Sequence, residues 1–135
     1  MSNVLILGAY GLLGSSLSPY LESKRYKVFR HGRRKVAQVY LDPIDANTIE
    51  VELRDKAIDC IVNLVALTSI EQCEKELKQA YRANTRVLEE IVDAISRFPE
   101  NERPHLVTIS TDHVYDGAGP HKEDKVSPCN IYALS

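Results

Sequence analysis

Three places in the chain gather residue types that can do chemistry. The first is Gly8-Ala9-Tyr10-Gly11-Leu12-Leu13-Gly14, a Gly-x-x-Gly-x-x-Gly run. In such a run the first glycine permits a tight turn and the second lets the backbone approach a diphosphate. The third lets a helix pack closely on a strand, while the unpaired N–H groups at the helix start face the anion. The second place is Arg30-His31-Gly32-Arg33-Arg34-Lys35. A dinucleotide site that takes NAD usually shows an acidic residue near the end of its second strand, for the ribose 2′-hydroxyl. Cations there suit a 2′-phosphate, because a guanidinium pairs with phosphate oxygens through two hydrogen bonds. NADP(H) is therefore expected over NAD(H), with Arg30 and Arg33 favoured as ligands and His31 beside them, whereas Arg34 and Lys35 read equally well as solvated surface. The third place is Ile109–Gly117, ISTDHVYDG, followed by a lone tyrosine, Tyr132. It packs two hydroxyls, an acid, a histidine and a turn into one short stretch, though pattern alone calls it a strand running into a loop.

The elements that must position these residues follow from the hydropathy pattern. Asn3–Leu7 is a continuous apolar run ending at glycine, as expected of a parallel strand buried on both faces. Leu12, Leu13, Leu17 and Leu21 recur at helical spacing and predict a helix, with Pro19 inside it as a source of a kink. Lys27–Arg30 and Gln38–Leu41 read as two short strands, and Ala46–Ala57, carrying Ile49 and Leu53, as an amphipathic helix. Cys60–Leu67 is again an unbroken apolar run. Ser69-x-x-Gln72 resembles a capping box. It opens a long helix with Tyr81, Asn84, Leu88, Ile91, Val92 and Ile95 on one face and Arg82, Arg86, Glu89, Glu90 and Asp93 on the other. Phe98-Pro99 ends that helix, and His105–Ser110 supplies a last buried strand before mostly loop. Strands alternating with helices predict right-handed βαβ units. The fold class is α/β, a Rossmann-type doubly wound parallel sheet with helices on both faces, in which ligands gather beyond the carboxyl ends of the strands. Gly8–Gly14 follows the first expected strand, Ala66–Thr68 the fourth and Ser110 the fifth.

Composition bounds the rest. The 135 residues are 44% hydrophobic and 27% charged with a formal charge of -2, which suits one globular domain over residues 1–135 and argues against a binder of nucleic-acid backbone. Cys60, Cys73 and Cys129 are widely separated and outside any metal-ligand spacing, so they read as free thiols in a reducing compartment and no metal site is expected. The N-terminal apolar run is too short for a signal segment or a membrane span. The expectation is a cytoplasmic protein.

Taken together, these residues resemble the extended short-chain dehydrogenase/reductases, specifically the dTDP-4-dehydrorhamnose reductase (sugar-nucleotide-binding) branch. The likeness covers essentially the whole chain: GAYGLLG resembles its cofactor turn, and DCIVNLVALTSIEQCE its fourth strand and following helix. ISTDHVYDGAGPHKEDKVSPCNIYALS resembles its active-site strand, sugar loop and the start of its catalytic helix. This block is the most specific, because Ser-Thr-Asp, then Val, an aromatic and Asp-Gly, then Ser-Pro-x-Asn-x-Tyr form a long ordered pattern.

The resemblance implies roles residue by residue. Gly8, Tyr10, Gly11, Leu12, Leu13 and Gly14 would form the cofactor turn, and Leu41, Asp42 and Pro43 would flank the adenine. Ala66, Leu67 and Thr68 would border the ribose and nicotinamide, with Asn84 in support from the long helix and Ser110 at the end of the fifth strand. Thr111 would bind the substrate carbonyl and Tyr132 would donate the proton, while Asp112, Val114 and Tyr115 would face the nucleotide-sugar. A free tyrosine has a pKa of about 10, so such sites place an ammonium nearby. The family's motif is Tyr-x-x-x-Lys, and its lysine would fall just past Ser135. Another departure is His113, where the family usually has tyrosine. As written, the chain is expected to be a poor catalyst and a piece of a longer enzyme, lacking the later strands and the small C-terminal region used for sugar recognition. The implied function is NADPH-dependent reduction of a 4-keto nucleotide-sugar, and a homodimer is compatible with it. Two alternatives stand beside it. One is a non-catalytic, NADP-binding regulatory subunit, since the β subunit of methionine adenosyltransferase resembles the same branch. The other is a nucleotide-sugar epimerase or dehydratase, disfavoured because those usually retain NAD and the basic loop points to exchangeable NADP(H).

Overall fold

The computed structural model describes residues 2–33, 37–41 and 44–135. In chain order the elements are β1 (Asn3–Leu7), α1 (Leu12–Ser23), β2 (Lys27–Arg30), α2 (Ala46–Asp55), β3 (Cys60–Asn63), α3 (Ile70–Lys75) and α4 (Leu77–Ala80). A π-helical turn (Tyr81–Arg86), α5 (Val87–Ser96), a 3-10 turn (Glu100–Glu102), β4 (His105–Thr108), a second 3-10 turn (Asp112–Val114) and α6 (Ile131–Leu134) follow. They fall into two compact units, Met1–Val65 with Val87–Ile109, and Ala66–Arg86 with Ser110–Ser135.

The first unit is the sheet and its covering helices. The strands run parallel in the order β2-β1-β3-β4. Ile6 of β1 lies between Arg30 of β2 and Val62 of β3. Side chains alternate along a strand, and the two faces carry different cores. Leu5, Leu7, Phe29 and Ile61 pack with Ile49 and Leu53 of α2 and with Val87, Ile91 and Ala94 of α5. Val4, Ile6, Val28 and Val62 form the other core, against which Leu17 and Leu21 of α1 pack. Helices therefore cover both faces, as the pattern predicts. Asp45 caps α2 reciprocally with Thr48, and the first amide of that helix, at Ala46, donates to Glu90 Oε2 of α5 (2.7 Å).

Several expectations are corrected. The helix after β1 does not bury Leu12 and Leu13: Leu12 is 94% exposed, while Gly14 and Ser18 are buried. Gly14 must face the sheet, and a residue two positions earlier lies about 200° around the helix. Pro19 lies within α1 without ending it. Gln38–Leu41 is not a strand; only Val39 forms a lone parallel bridge, with His31. The strand expected at Cys60–Leu67 ends at Asn63, whose Oδ1 accepts the Val65 N–H (3.2 Å) and turns the backbone aside. The single long helix is broken into α3, α4, the π turn and α5. The π turn shifts the phase, so Ala80, Val87, Ile91 and Ala94 are buried while Tyr81 and Val92 are exposed. Finally, β4 is short and largely exposed, because it has a strand neighbour on one side only among the described residues.

The second unit contains α3, α4, the π turn and α6 joined by irregular chain. Its buried side chains among the described residues are Cys73 and Ala80. No helix among the described residues is long and apolar enough to cross a membrane.

Candidate functional site

The glycine turn lies at the carboxyl end of β1. Gly8 holds φ +80, a left-handed conformation, and a Cβ there would sit 3.0 Å from the Leu64 backbone. A Cβ on Gly14 would lie 2.6 Å from Ala9 Cα and from Gly8 O, so this glycine allows α1 to touch the strand end. Gly11 is the N-cap of α1 in extended conformation, with its N–H donated to Gly8 O (3.0 Å). No side chain caps α1 and no acidic residue sits in its first turn. The amide end of the helix thus faces no counter-charge from its own first turn, a setting that suits an anion. The sequence did not single out Gly32 for its packing. The Tyr10 ring lies against it, and a Cβ at Gly32 would come within 2.7 Å of Tyr10 Cδ2. Tyr10, Leu12 and Leu13 all remain exposed beside the turn.

The basic stretch separates into three environments. Arg30 turns toward α1 and pairs with Glu22 (2.7 Å). His31 is 2% exposed, and neither ring nitrogen has a hydrogen-bond partner among the described residues. Burial holds its pKa below the ordinary histidine value, opposed by the Glu52 carboxylate, so the ring is kept neutral. Its backbone, by contrast, is tied to the site: the Ala9 N–H donates to His31 O (3.1 Å). Arg33 is exposed. Leu41 packs in the core with Val39 and Ile49. Arg34, Lys35, Asp42 and Pro43 lie outside the described residues.

The remaining candidates belong to the second unit, where side chains bonded to backbone do the positioning. The Leu67 N–H donates to Asn84 Oδ1 (2.7 Å), and Leu67 O accepts from Asn84 Nδ2 (3.1 Å) and from Cys73 Sγ (3.3 Å). Asn84 therefore clamps Leu67 from the π turn through the peptides on both its sides, and Nδ2 reaches Ser135 Oγ as well (2.8 Å). Ala66 and Thr68, on either side, are exposed. Burial raises the Cys73 thiol pKa, which suits a packing group rather than a nucleophile.

Ser110 is exposed, and Thr111 caps the 3-10 turn, its Oγ1 accepting the His113 N–H (3.2 Å). With its lone pair used there, the hydroxyl proton of Thr111 remains free to donate. The His113 ring meets the Tyr132 ring edge-on, with centroids 5.5 Å apart and planes at 69°. Tyr132 is half-buried on α6. Asp112 is exposed, and Val114 O accepts the Ser127 N–H (2.7 Å), which closes the intervening loop. Within that loop Tyr115 stacks on His121, with centroids 5.0 Å apart and planes 6° from parallel. The unit thus brings together Tyr132, His113 and the turn that Thr111 caps. A hollow of about 520 Å³ elsewhere on the unit, lined by Leu77, Lys78, Tyr81, Arg82 and Arg86, holds none of the candidates.

Sequence reasoning missed Glu74, Thr85 and the capping role of Asn130. Asn130 Oδ1 accepts the Ala133 N–H (2.8 Å), Glu74 Oε1 accepts the Ile131 N–H (2.9 Å), and Thr85 Oγ1 donates to Ser135 O (2.6 Å). Helix-cap preference could have found Asn130. Nothing local marks Glu74, whose partner lies 57 residues away.

Comparison with known proteins places this arrangement. A family model described as the RmlD substrate binding domain matches residues 1–135. The chain is 33% identical to the spore coat polysaccharide biosynthesis protein SpsK of Bacillus subtilis, covering 100% of this chain and 46% of that protein. It is 30% identical to the β subunit of methionine adenosyltransferase 2 of Bos taurus, over 96% of this chain and 39% of that protein. Among solved structures it resembles a dTDP-4-dehydrorhamnose reductase from Bacillus anthracis in complex with NADP, with TM-score 0.81 and 27% identity over 99% of this chain and 46% of the other. The chain spans less than half the length of each of these proteins.

Proposed function

Because the chain belongs to the RmlD substrate binding domain family, we propose that it carries the cofactor half and the proton-donating tyrosine of an NADPH-dependent reductase acting on a 4-keto nucleotide-sugar of the dTDP-4-dehydrorhamnose type. The observation that carries this reading is the setting of Tyr132. It is half-buried on a capped helix, with its ring against the turn that Thr111 caps.

When bound, NADPH supplies a hydride to the carbonyl carbon. The backbone amides at Leu12 and Leu13 would hold its diphosphate, with Arg33, and Arg30 after release from Glu22, toward the 2′-phosphate. Ala66, Leu67 and Thr68 would border its nicotinamide side, where Asn84 fixes the Leu67 peptide in place. The phenol of Tyr132 gives its proton to the carbonyl oxygen as negative charge develops there, and the Thr111 hydroxyl donates a hydrogen bond to the same oxygen. Asp112, Val114 and Tyr115 line the loop that would meet the sugar nucleotide.

The test is NADPH oxidation, followed by absorbance, with a dTDP-4-keto-6-deoxyhexose, using the full natural protein. Turnover that falls at least roughly 100-fold in Tyr132→Phe is expected for loss of a proton donor. The likeness to the methionine adenosyltransferase β subunit supports a second reading, a regulatory subunit that binds NADP(H). Tight NADPH binding with no turnover selects that reading. Replacing Arg30 and Arg33 by Gln tests the cofactor: an unchanged NADPH/NADH affinity ratio overturns the 2′-phosphate assignment.

A further inference from the structure

We propose that Glu74 is a positioning residue for Tyr132, a role that rests on the reductase reading above. The helix that carries Tyr132, α6, runs only from Ile131 to Leu134. A helix this short has almost no internal hydrogen bonding to fix it, so its orientation depends on groups outside it. At its start Asn130 Oδ1 accepts the Ala133 N–H (2.8 Å). That cap shapes the first turn, but it belongs to the same stretch of chain and moves with it. The bond that ties the start to another element is the one from the Ile131 N–H to Glu74 Oε1 of α3 (2.9 Å). It reaches the residue immediately before Tyr132, and a carboxylate at a helix start also faces the favourable end of its peptide dipoles.

The carboxylate is itself on a fixed mount. Ser69 caps α3 through the Gln72 N–H (3.2 Å), and Cys73, beside Glu74, donates its Sγ–H to Leu67 O (3.3 Å). That carbonyl also accepts from Asn84, whose Nδ2 bonds Ser135 Oγ, while Thr85 Oγ1 donates to Ser135 O. The Leu67 carbonyl is thus a common anchor. From it, Cys73 and Glu74 reach the front of the helix and Asn84 reaches the back. Glu74 acts through α6 and sets where the phenol points.

The experiment compares Glu74→Ala and Glu74→Gln with the unmodified protein by amide hydrogen exchange at Ile131, by the nuclear Overhauser contact between the His113 and Tyr132 rings, and by steady-state kinetics. Glu74→Ala is expected to lose protection at Ile131, weaken the ring contact and lower kcat roughly 10- to 100-fold, as a small misplacement of a reacting group does, with the NADPH Kd and Tm unchanged. Glu74→Gln keeps an acceptor oxygen and is expected to recover most of all three. Unchanged kcat in Glu74→Ala, or a loss shared with the NADPH Kd and not rescued by Gln, overturns the proposal. Should the unmodified protein reduce no sugar, the reductase reading fails by itself. The exchange and ring-contact data then decide the positioning role: protection and contact retained in Glu74→Ala overturn it, and their loss with rescue by Gln supports it.

Discussion

The unit that carries the glycine turn and the unit that carries Tyr132 are held together by different forces. In the first, Leu5, Ile6, Leu7, Ile49, Leu53, Ile61 and Ile91 are fully buried, and strand-to-strand bonding fixes the register. In the second, only Cys73 and Ala80 are buried among the described residues, and order comes from side chains bonded to backbone: Asn84 to Leu67, Glu74 to Ile131, Asn130 to Ala133. Apolar burial is non-directional and tolerant of small shifts, whereas a hydrogen bond is directional and is weakened steeply by misalignment. The division suits the proposed chemistry. A dinucleotide needs a rigid backbone cradle, while a proton donor needs its atom placed to within a fraction of an ångström.

The largest expected effect lies in the first unit and tests whether its turn is set by packing. A Cβ on Gly14 meets Ala9 Cα and Gly8 O, both backbone, at 2.6 Å, so Gly14→Ala must push α1 off the strand end. We expect a loss of about 2–3 kcal/mol by denaturant unfolding, the upper part of the range of about 1–3 kcal/mol for overpacked sites, because both atoms met are backbone. At Gly11 the nearest atom would be Gly8 O at 3.3 Å and the backbone is already extended. Gly11→Ala should therefore leave stability within about 1 kcal/mol, because it forces no off-rotamer packing, yet weaken NADPH binding by crowding the diphosphate. Equal stability losses at the two glycines would break the distinction between packing glycine and binding glycine.

A smaller effect is expected where polar bonds replace a core. Asn84→Ala leaves the N–H of half-buried Leu67 without its partner and the Leu67 carbonyl with Cys73 Sγ alone. Leaving such groups unsatisfied costs about 1–2 kcal/mol. The informative readout is its distribution: amide exchange should rise in Ala66–Arg86 and Ser110–Ser135 while the strands keep their protection. If the strands exchange faster as well, the two units are not separately stabilised and the comparison fails.

The same contrast explains what could be read in the amino-acid order. β1 and β2 fall where expected, because a run such as NVLIL has few alternatives to a buried strand and ends at a glycine the turn requires. Leu12 and Leu13 misled, since helical spacing alone does not say which face the glycine will take. HLVTIS is apolar and reads as buried, yet burial belongs to the neighbours of a strand as much as to its residues, and β4 has one strand neighbour among the described residues. The π turn depends on a one-residue slip in backbone bonding that composition does not mark. From Ser110 onward no periodicity marks the elements. The pattern Ser-Pro-x-Asn-x-Tyr, by resemblance, pointed to Tyr132, and the supports from Glu74 and Thr85 stayed invisible because they come from distant chain.

The smallest expected effect concerns the buried histidine of the apolar unit, and it separates burial from bonding most directly. His31 is buried with both ring nitrogens unpartnered among the described residues, and burial lowers its pKa, with Glu52 opposing. The unfolded chain takes up a proton near the ordinary value of 6.5, which the folded chain resists. Between the two values the unfolded state binds more protons, so stability rises with pH there. His31 thus contributes stability that is fully present above about pH 6.5 and is lost as the pH falls toward the lowered folded value. The urea midpoint should drop between pH 7.5 and 5.5, and His31→Leu, which fills a similar space without a titrating group, should flatten that part of the profile. A slope that survives the substitution would assign the acid sensitivity to other groups and show that the buried ring is accommodated by polar neighbours after all.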